Sequence, residues 1–362
     1  MKICFFGSSL VSSYWNGAAT YYRGMLKELA ALGHDIAFFE PDAFQRQQHR
    51  DIADPPWAKV VVYPPTSDGW QRSLETAAQS ADILVKASGV GLFDEELENA
   101  AVEIPSRALR IYWDVDAPAT LDAMSQQPRH HLRRVISRYD LVLTYGGGDP
   151  VVAAYRSAGA RDCVPIYNAL DTSTHFPAPA SPRFACDLGL LANRLPDREQ
   201  RIDSFFLEVA RTMPSRQFVL GGSGWDSKDT PANVRCVGHV GTGDHNAFFG
   251  SGLATLNVNR ESMARYGFSP PTRVFEAAGA GACLITDDWE GIDAFLEPGR
   301  EVLVASSGAA VAEHLDALTH EMARTIASRA RARILAHHTY RQRARQFNTL
   351  FAERATRIEA AE

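Results

Sequence analysis

Short apolar runs alternate with helical patterns along the first half of the sequence, and this alternation constrains the fold more than any other feature. We predict strands at residues 2–6, 35–40, 83–87, 108–113 and 141–145, and a helix at residues 18–32 between the first two strands. Buried strands that alternate with helices form a parallel sheet covered on both faces. The first half is therefore predicted to be a doubly wound, Rossmann-like α/β domain.

The same alternation restarts after a turn-rich segment at residues 166–182, whose three prolines are typical of a linker. Beyond it we predict strands at 184–191, 217–220, 254–258 and 283–286, with helices at 199–212 and 309–336. We expect an N-terminal domain over residues 1–170 and a second domain over residues 171–339, two doubly wound parallel-sheet units that face a cleft. The last segment, residues 340–362, is long enough to pack back on the first domain as a helix.

The composition is that of a globular protein and argues against several classes. Of 362 residues, 45% are hydrophobic and 22% are charged, and no apolar run is long enough to cross a bilayer. The net charge of −6 argues against nonspecific nucleic-acid binding, which needs a surplus of lysine and arginine. The sequence starts on a strand pattern instead of the basic and apolar layout of a secretory signal, so we expect a cytoplasmic protein.

Five cysteines are scattered singly and lack the paired spacing of a zinc site or a redox motif. We expect all five to be buried thiols: Cys4, Cys163, Cys186, Cys236 and Cys283. The cysteines therefore predict no metal centre.

Seven arginines and no acidic residue lie between Met322 and Ala352. Such a stripe can rest on anionic lipid at the inner membrane face or on a polyanionic acceptor. It can equally be the solvated face of a helix. The pattern leaves both interpretations open.

The stretch from Arg273 to Asp287, RVFEAAGAGACLITD, carries the strongest signal of chemistry. Pro270 and Pro271 suit the first positions of a helix, so we predict a helix N-terminus at Thr272 with Arg273 beside it. Free N–H groups and a guanidinium attract a diphosphate, and Glu276, one turn further on, can accept hydrogen bonds from ribose hydroxyls. The alternative is an acid that complements the helix dipole, followed by small residues that pack closely on a strand.

Glycines follow the predicted strand at residues 217–220. Gly222 and Gly224 would let backbone amides approach a phosphate or a sugar without obstruction by a Cβ atom. Glycines at this point can also simply form a turn.

Five motifs occur in a fixed order between about residues 188 and 306: LLANRLPDR, LGGSGW, CVGHV, the Arg273–Asp287 stretch, and EPGREVLV. In this order they resemble the donor domain of group 1 glycosyltransferases with two Rossmann-like domains, the GT-B architecture, and particularly the branch of spore-maturation type proteins. The first half resembles the family only in its general pattern.

The resemblance implies that Arg194 and Arg198 of LLANRLPDR neutralise the diphosphate of a UDP- or GDP-sugar. It also implies that His239 and Val240 lie where relatives hold the base. The alternative for Arg198 is an ion pair with Asp197 or Glu199 at the helix start.

The chain departs from the family pattern upstream of Glu276. Many retaining relatives have another glutamate eight residues earlier, where this chain has Phe268. Contacts to the donor sugar must therefore differ, and the candidates for them are Asn257, Asn259, Arg260 and Arg265. The departure leaves the retaining or inverting outcome open.

In the first domain, Gly7 and Ser8 end the first strand and open a long loop. Their spacing is not the G-x-G-x-x-G of a dinucleotide fold, so we expect the loop to shape an acceptor site or to touch the donor phosphate.

Asp114 and Asp116 follow another strand of the first domain as an Asp-x-Asp pair. Such a pair holds Mg²⁺ or Mn²⁺ in metal-dependent glycosyltransferases of a different, single-domain architecture. Two-domain relatives use arginines and a helix end instead, so we expect no metal and no cofactor. Asp116 is then the candidate that orients or deprotonates an acceptor hydroxyl, and capping of the local loop is the alternative.

Together these features predict an enzyme that moves a sugar from a nucleoside diphosphate sugar to a hydroxyl-bearing acceptor, which can be a glycan, a lipid-linked molecule or a small molecule. A nucleotide-sugar epimerase on the same scaffold and a noncatalytic nucleotide-sugar-binding protein are the alternatives. The sequence leaves the oligomeric state open.

Overall fold

The structure is a computed structural model that describes residues 1–14 and 16–359. The chain divides into two compact units. The first comprises Met1–Tyr167 together with the helix that begins at Tyr340, and the second comprises Asn168–Thr339.

Within the described residues, the first unit holds a parallel sheet of seven strands in the order β3-β2-β1-β4-β5-β6-β7. The strands are β1 (Lys2–Phe6), β2 (Asp35–Pro41), β3 (Lys59–Tyr63), β4 (Ile83–Ala87), β5 (Leu109–Asp114), β6 (Leu141–Thr144) and β7 (Cys163–Pro165). The inner strands are buried along almost their whole length, as expected for a parallel sheet covered on both faces.

Helices connect these strands. They are α1 (Ala19–Ala31), α2 (Ser67–Ser80), α3 (Asp94–Glu103), α4 (Ala117–Gln126), α5 (Leu132–Val135) and α6 (Gly148–Ser157). The helix at the end of the chain belongs to the same unit and, in order along the chain, is α14 (Tyr340–Glu359).

The closing helix α14 packs on α1 with little space between the two backbones. A Cβ atom on Gly24 of α1 would lie 2.2 Å from the ring of Tyr340, so glycine is required at this crossing. The ring of Phe347 stacks on Trp113 with 5.7 Å between centroids. These contacts make the last segment part of the first unit's core.

The second unit contains a six-stranded parallel sheet among its described residues, in the order β10-β9-β8-β11-β12-β13. Its strands are β8 (Cys186–Leu191), β9 (Phe218–Gly221), β10 (Val234–Gly238), β11 (Gly252–Asn257), β12 (Leu284–Asp287) and β13 (Leu303–Ala305).

The helices of this unit are α7 (Pro196–Ile202), α8 (Glu208–Thr212), α9 (Thr242–Ser251), α10 (Glu261–Tyr266), α11 (Thr272–Gly279), α12 (Gly308–Ala317) and α13 (His320–His337). A π-helical segment, Asp203–Leu207, joins α7 to α8, so the three form one continuous helix. The core of the unit lies between this helix and the sheet, where Phe206 and Phe218 meet edge to face at 5.6 Å.

The expectation that all five cysteines are buried is wrong for two of them. All five are free thiols, but Cys236 is exposed and Cys186 is half-buried. Cys236 lies on β10, at the edge of its sheet, where one face of the strand meets solvent.

The arginines between Met322 and Ala352 do not form one continuous solvated stripe. They are divided between α13 of the second unit and α14 of the first. Arg331, Arg333 and Arg343 donate to backbone carbonyl oxygens at 3.2, 2.9 and 3.3 Å, and Arg343 is buried. Across the residues that the structure describes, no helix has both the length and the apolar character needed to span a bilayer.

Candidate functional site

The candidate site lies at one edge of the second unit's sheet. The strands β8, β9, β11 and β12 are parallel, so their carboxyl ends and the loops that follow them meet at the same edge. In open α/β sheets this is the edge at which ligands bind. The residues of the second unit that are predicted to contact the donor diphosphate follow one of these strands or begin α11.

Helix α11 begins at Thr272, as predicted, but the two prolines precede the helix instead of occupying its first positions. Pro271 is the N-cap residue, and its extended backbone turns the chain into the helix. The carbonyl oxygen of Pro270 accepts a hydrogen bond of 3.2 Å from the side chain of Asn168, which fixes the loop before the helix. Arg273 is thereby held in the first turn of α11.

Arg273 is half-buried and lies beside the end of β11. Its Nη1 atom donates to Oδ1 of Asn257 at 2.9 Å. Burial lowers the pKa of the guanidinium, while Glu276 and Asp287 partly offset that shift through their charges. Among the described residues, no carboxylate lies within ion-pair distance of Arg273.

Arg198 is the second arginine of this edge and is only 9% exposed. Its Nη2 atom donates to the carbonyl oxygen of Asn193 at 2.6 Å, whereas its buried Nε atom has no hydrogen-bond partner in the described part of the chain. Burial lowers its pKa to about 9, and the nearby positive charge of Arg273 contributes to the shift. Arg198 and Arg273 thus form a pair of like charges, which we call the arginine pair.

The predicted alternative for Arg198, an ion pair with Asp197 or Glu199, is wrong. Asp197 is paired with Arg260 at 2.5 Å. Glu199 accepts two hydrogen bonds of 2.8 Å from Arg194, which lower the pKa of its carboxyl to about 2. Both neighbouring carboxylates are therefore engaged elsewhere, and Arg194 differs from Arg198 in being neutralised within the protein.

Gly222 and Gly224 shape the loop after β9. A Cβ atom on Gly222 would lie 2.1 Å from the carbonyl oxygen of Ala192, and both glycines have positive φ, +125° and +90°. The amide of Gly222 already donates to the carbonyl oxygen of Gly238 at 2.8 Å. The structure therefore explains both glycines by close approach of two loops, and their predicted contact with phosphate stays a prediction.

Glu276 lies one turn further along α11 and is half-buried. Two histidines that the sequence analysis did not single out, His175 and His245, bring their ring nitrogens near its carboxylate. Residues 70 positions apart give no spacing signal, so only the folded chain reveals this group. His239 is exposed and Val240 is buried, and the Val240 carbonyl approaches the His245 ring.

The residues proposed to replace the missing glutamate divide into two groups. Asn257 and Asn259 are buried and joined by a hydrogen bond of 3.0 Å, and Nδ2 of Asn259 has no hydrogen-bond partner among the described residues. Arg260 is paired with Asp197, and the guanidinium of Arg265 lies over the Tyr266 ring. Asn259 thus keeps donor capacity just beyond the strand end, whereas the Asn257 amide donates to Asn259 and to Thr286.

Phe268 stands where many retaining relatives have a glutamate, and it adopts a backbone conformation that is rare for a bulky residue. Its φ is +45°, and its amide donates to the carbonyl oxygen of Glu290 at 2.6 Å. The ring lies against Gly291, where a Cβ atom would come within 2.2 Å of it. Left-handed backbone of this kind persists only where the surroundings enforce it, so Phe268 is a packing residue of the loop before α11.

In the first unit, Gly7 and Ser8 follow β1 as predicted. A Cβ atom on Gly7 would lie 2.5 Å from the Phe38 ring. Ser8 is buried, and its hydroxyl donates to Oδ1 of Asn16 at 2.8 Å. Both residues therefore have structural roles within the loop, and a contact with a ligand stays a prediction.

Asp114 and Asp116 have different surroundings. Asp114 is fully buried and accepts hydrogen bonds from Ser88, Thr120 and Tyr155, and burial raises its pKa. Asp116 is half-buried and is the residue that precedes α4. Asp114 therefore serves the fold, and Asp116 is the member of the pair that is left as a candidate for chemistry.

Residues 198–349 match the family described as glycosyl transferase-like. No curated protein sequence matches the chain. At 14% identity, the fold matches sucrose-phosphate synthase from Thermosynechococcus elongatus with a TM-score of 0.69 over 100% of both chains.

Two further structures share this fold. HepE from Anabaena, in complex with UDP-glucose, is 14% identical with a TM-score of 0.68, over 98% of this chain and 100% of that one. The DNA-modifying enzyme β-glucosyltransferase is 10% identical with a TM-score of 0.65, over 98% of this chain and 99% of that one. The narrower resemblance to spore-maturation type proteins stays a prediction. Residues 198–349 thus match a glycosyl transferase-like family, and the two Rossmann-like units give the chain the fold of these solved structures, the GT-B architecture.

Proposed function

We propose that the protein transfers a sugar from a UDP- or GDP-sugar to a hydroxyl-bearing acceptor. The observation that carries this proposal is the arginine pair. Two guanidinium groups, one buried and one half-buried, lie close together without a carboxylate partner among the described residues. Buried charges are ordinarily paired, so such an arrangement favours an anionic ligand.

A diphosphate fits this site better than a carboxylate does. It carries more than one negative charge, and each guanidinium can donate two parallel hydrogen bonds to phosphate oxygens. The N-terminus of α11 at Thr272 adds free amide donors and the positive end of the helix dipole. Solved relatives of the same fold, the HepE structures, are described as complexes with UDP and with UDP-glucose, which supports the proposal.

The rest of the donor would follow α11 and the β10–α9 loop. Glu276, one turn beyond Arg273, accepts hydrogen bonds from the ribose hydroxyls. His239 and Val240 contact the base. Arg194, which is paired with Glu199, is left out of the contacts to the diphosphate. Asn257 and Asn259, which replace the absent glutamate, contact the sugar.

Catalysis would come from stabilisation of the departing diphosphate. The arginine pair and the helix end are fixed before the reaction, so they stabilise the developing charge without reorganisation. This positive charge takes the place of a metal ion on the diphosphate. In a retaining reaction the leaving phosphate takes the acceptor proton, and in an inverting reaction Asp116 is our candidate for the base.

The proposal is tested by removing one arginine of the pair. We expect Arg273→Ala to lower the rate of sugar transfer by at least ~10²-fold, because fixed donors to a leaving group contribute that much or more. Transfer is measured as release of UDP or GDP in the presence of hydroxyl acceptors. The control is Arg329→Ala, which removes an exposed arginine of α13 in the same unit and should leave the rate unchanged.

Unchanged transfer by a folded Arg273→Ala variant would contradict the proposed role. Conversion of the nucleotide sugar without any acceptor would indicate an epimerase instead. Saturable nucleotide binding without turnover across the acceptor panel would indicate a noncatalytic binding protein.

A further inference from the structure

Three metal-ligating side chains converge in the second unit on the face of α11 that carries Glu276. His175, His245 and Glu276 each place one ligand atom so that all three atoms lie within 4.8 Å of one another. His175 is 4% exposed, and the other two are half-buried. The three residues come from the segment before β8, from α9 and from α11, and we call them the histidine cluster.

The spacing of the two imidazoles fits a tetrahedral metal ion. Nε2 of His175 and Nδ1 of His245 are 3.3 Å apart. Two nitrogens bound to Zn²⁺ at 2.0–2.1 Å in tetrahedral geometry lie ~3.3 Å apart. As a hydrogen bond the same distance is longer than is usual for an N–H donor. The observed separation is therefore the one that an ion between the rings requires.

Neighbouring groups fix the ring of His175 in the orientation and tautomer that a metal needs. The Thr174 hydroxyl donates to the carbonyl oxygen of Asp171, so its oxygen is left to accept from Nδ1–H of His175 at 3.0 Å. This hydrogen bond leaves the lone pair on Nε2, which faces His245. Outer hydrogen bonds of this kind are typical of metal-binding histidines.

The segment that carries His175 is tied to α9 by Asn246. The Asn246 side chain donates to the carbonyl oxygen of Thr174 at 2.9 Å and accepts from the amide of Phe176 at 3.1 Å. These two bonds flank His175 and hold it against the helix that bears His245. The two nitrogens are thus positioned before any ion binds.

The donor atoms of the cluster suit a cation. A neutral imidazole offers the lone pair of a ring nitrogen to a metal ion. The Glu276 carboxylate supplies the negative charge, and water can take the fourth position as in sites with three protein ligands. A small movement of the Glu276 side chain, on the order of 1–2 Å, would bring its oxygen to tetrahedral spacing.

We propose that His175, His245 and Glu276 bind one Zn²⁺ ion, and that this ion competes with the nucleoside diphosphate for Glu276. The competition rests on the proposed function, in which the same carboxylate accepts the ribose hydroxyls. The ion is then an inhibitor of donor binding and plays no part in transfer. Zinc binding itself depends only on the geometry of the cluster.

The first experiment measures Zn²⁺ binding by competition with a chromogenic zinc indicator, using full-length protein without a histidine tag. The wild-type protein should bind one equivalent, and His175→Asn and His245→Asn should each weaken binding at least ~10-fold. The control is His320→Asn, an exposed histidine at the start of α13, which should bind like wild type. Equal zinc affinity in all four proteins, or no binding by the wild type, would overturn the proposal.

The second experiment measures the affinity for UDP and for GDP at increasing free Zn²⁺. Diphosphates bind Zn²⁺ in solution, so the folded His175→Asn variant serves as the matched control. Zinc should weaken nucleotide binding by wild type more than by this variant, whose affinity without zinc should equal that of wild type. Equal weakening in both proteins would refute the competition. If neither nucleotide binds to wild type without zinc, the proposed function fails, whereas the indicator titration still decides the zinc site.

Discussion

At the residue scale, the site depends on which of several arginines is left without a counter-charge. Arg194 and Arg198 occupy one motif, and the sequence predicts the same role for both. The structure distinguishes them, because Arg194 is paired with Glu199, whereas Arg198 is buried and has no carboxylate within ion-pair distance among the described residues. This difference depends on how deeply each side chain is buried. It also depends on Lys228, which lies 29 positions after Glu199 and donates to the same carboxylate as Arg194. Sequence spacing contains neither piece of information.

The unpaired charge of Arg198 should cost stability in the free protein. We predict that Arg198→Met raises Tm by about 2–4 °C, the shift that ~1 kcal/mol produces in a unit of this size, because an apolar side chain replaces a buried charge. The same variant should bind UDP or GDP roughly 10- to 100-fold more weakly, since charge-assisted hydrogen bonds are lost. Thermal unfolding and isothermal titration calorimetry measure the two effects.

The control for this prediction is Arg194→Met. It removes a guanidinium that is already paired with Glu199, so Tm should not rise. A lower Tm for Arg198→Met together with unchanged nucleotide affinity would show that the arginine serves the fold and not a ligand.

At the element scale, the sequence predicted every inner strand and missed every edge strand of the two described sheets. The predicted strands are β1, β2, β4, β5, β6, β8, β9, β11 and β12, and the missed ones are β3, β7, β10 and β13. Inner strands of a parallel sheet are buried on both faces and appear as continuous apolar runs. The edge strands are short or partly exposed, so their apolar signal is weak.

The loop after β9 offers a test of how closely the elements of the site are packed. We predict that Gly222→Ala lowers the free energy of unfolding by roughly 3 kcal/mol or more. The new methyl group would contact the Ala192 carbonyl oxygen, and φ is +125° at this position. Denaturant unfolding measures the change.

The matched control is Gly243→Ala in α9. A Cβ atom at Gly243 meets nothing within 4 Å, and alanine favours a helix over glycine by about 0.5–1 kcal/mol. This variant should therefore be slightly more stable than wild type. Equal stability of the two variants would contradict the close approach of the two loops.

At the scale of the whole molecule, the two Rossmann-like units were predicted and are confirmed, and residues 198–349 match a glycosyl transferase-like family. The order of strands and helices is a local pattern that repeats along the chain, so the sequence contains it. The histidine cluster unites three segments that are distant in the sequence, and only the folded second unit brings them together. The same holds for the arginine pair, which joins the start of α7 to the start of α11.

The central claim is that the arginine pair holds a diphosphate while Glu276 holds the adjoining ribose. The most direct measurement is a crystal structure of the protein with bound UDP or GDP. We predict phosphate oxygens within hydrogen-bond distance of Arg198, Arg273 and the first amides of α11, with ribose hydroxyls donating to Glu276. A nucleotide bound elsewhere, or bound here with both guanidinium groups directed away from its phosphates, would contradict the claim.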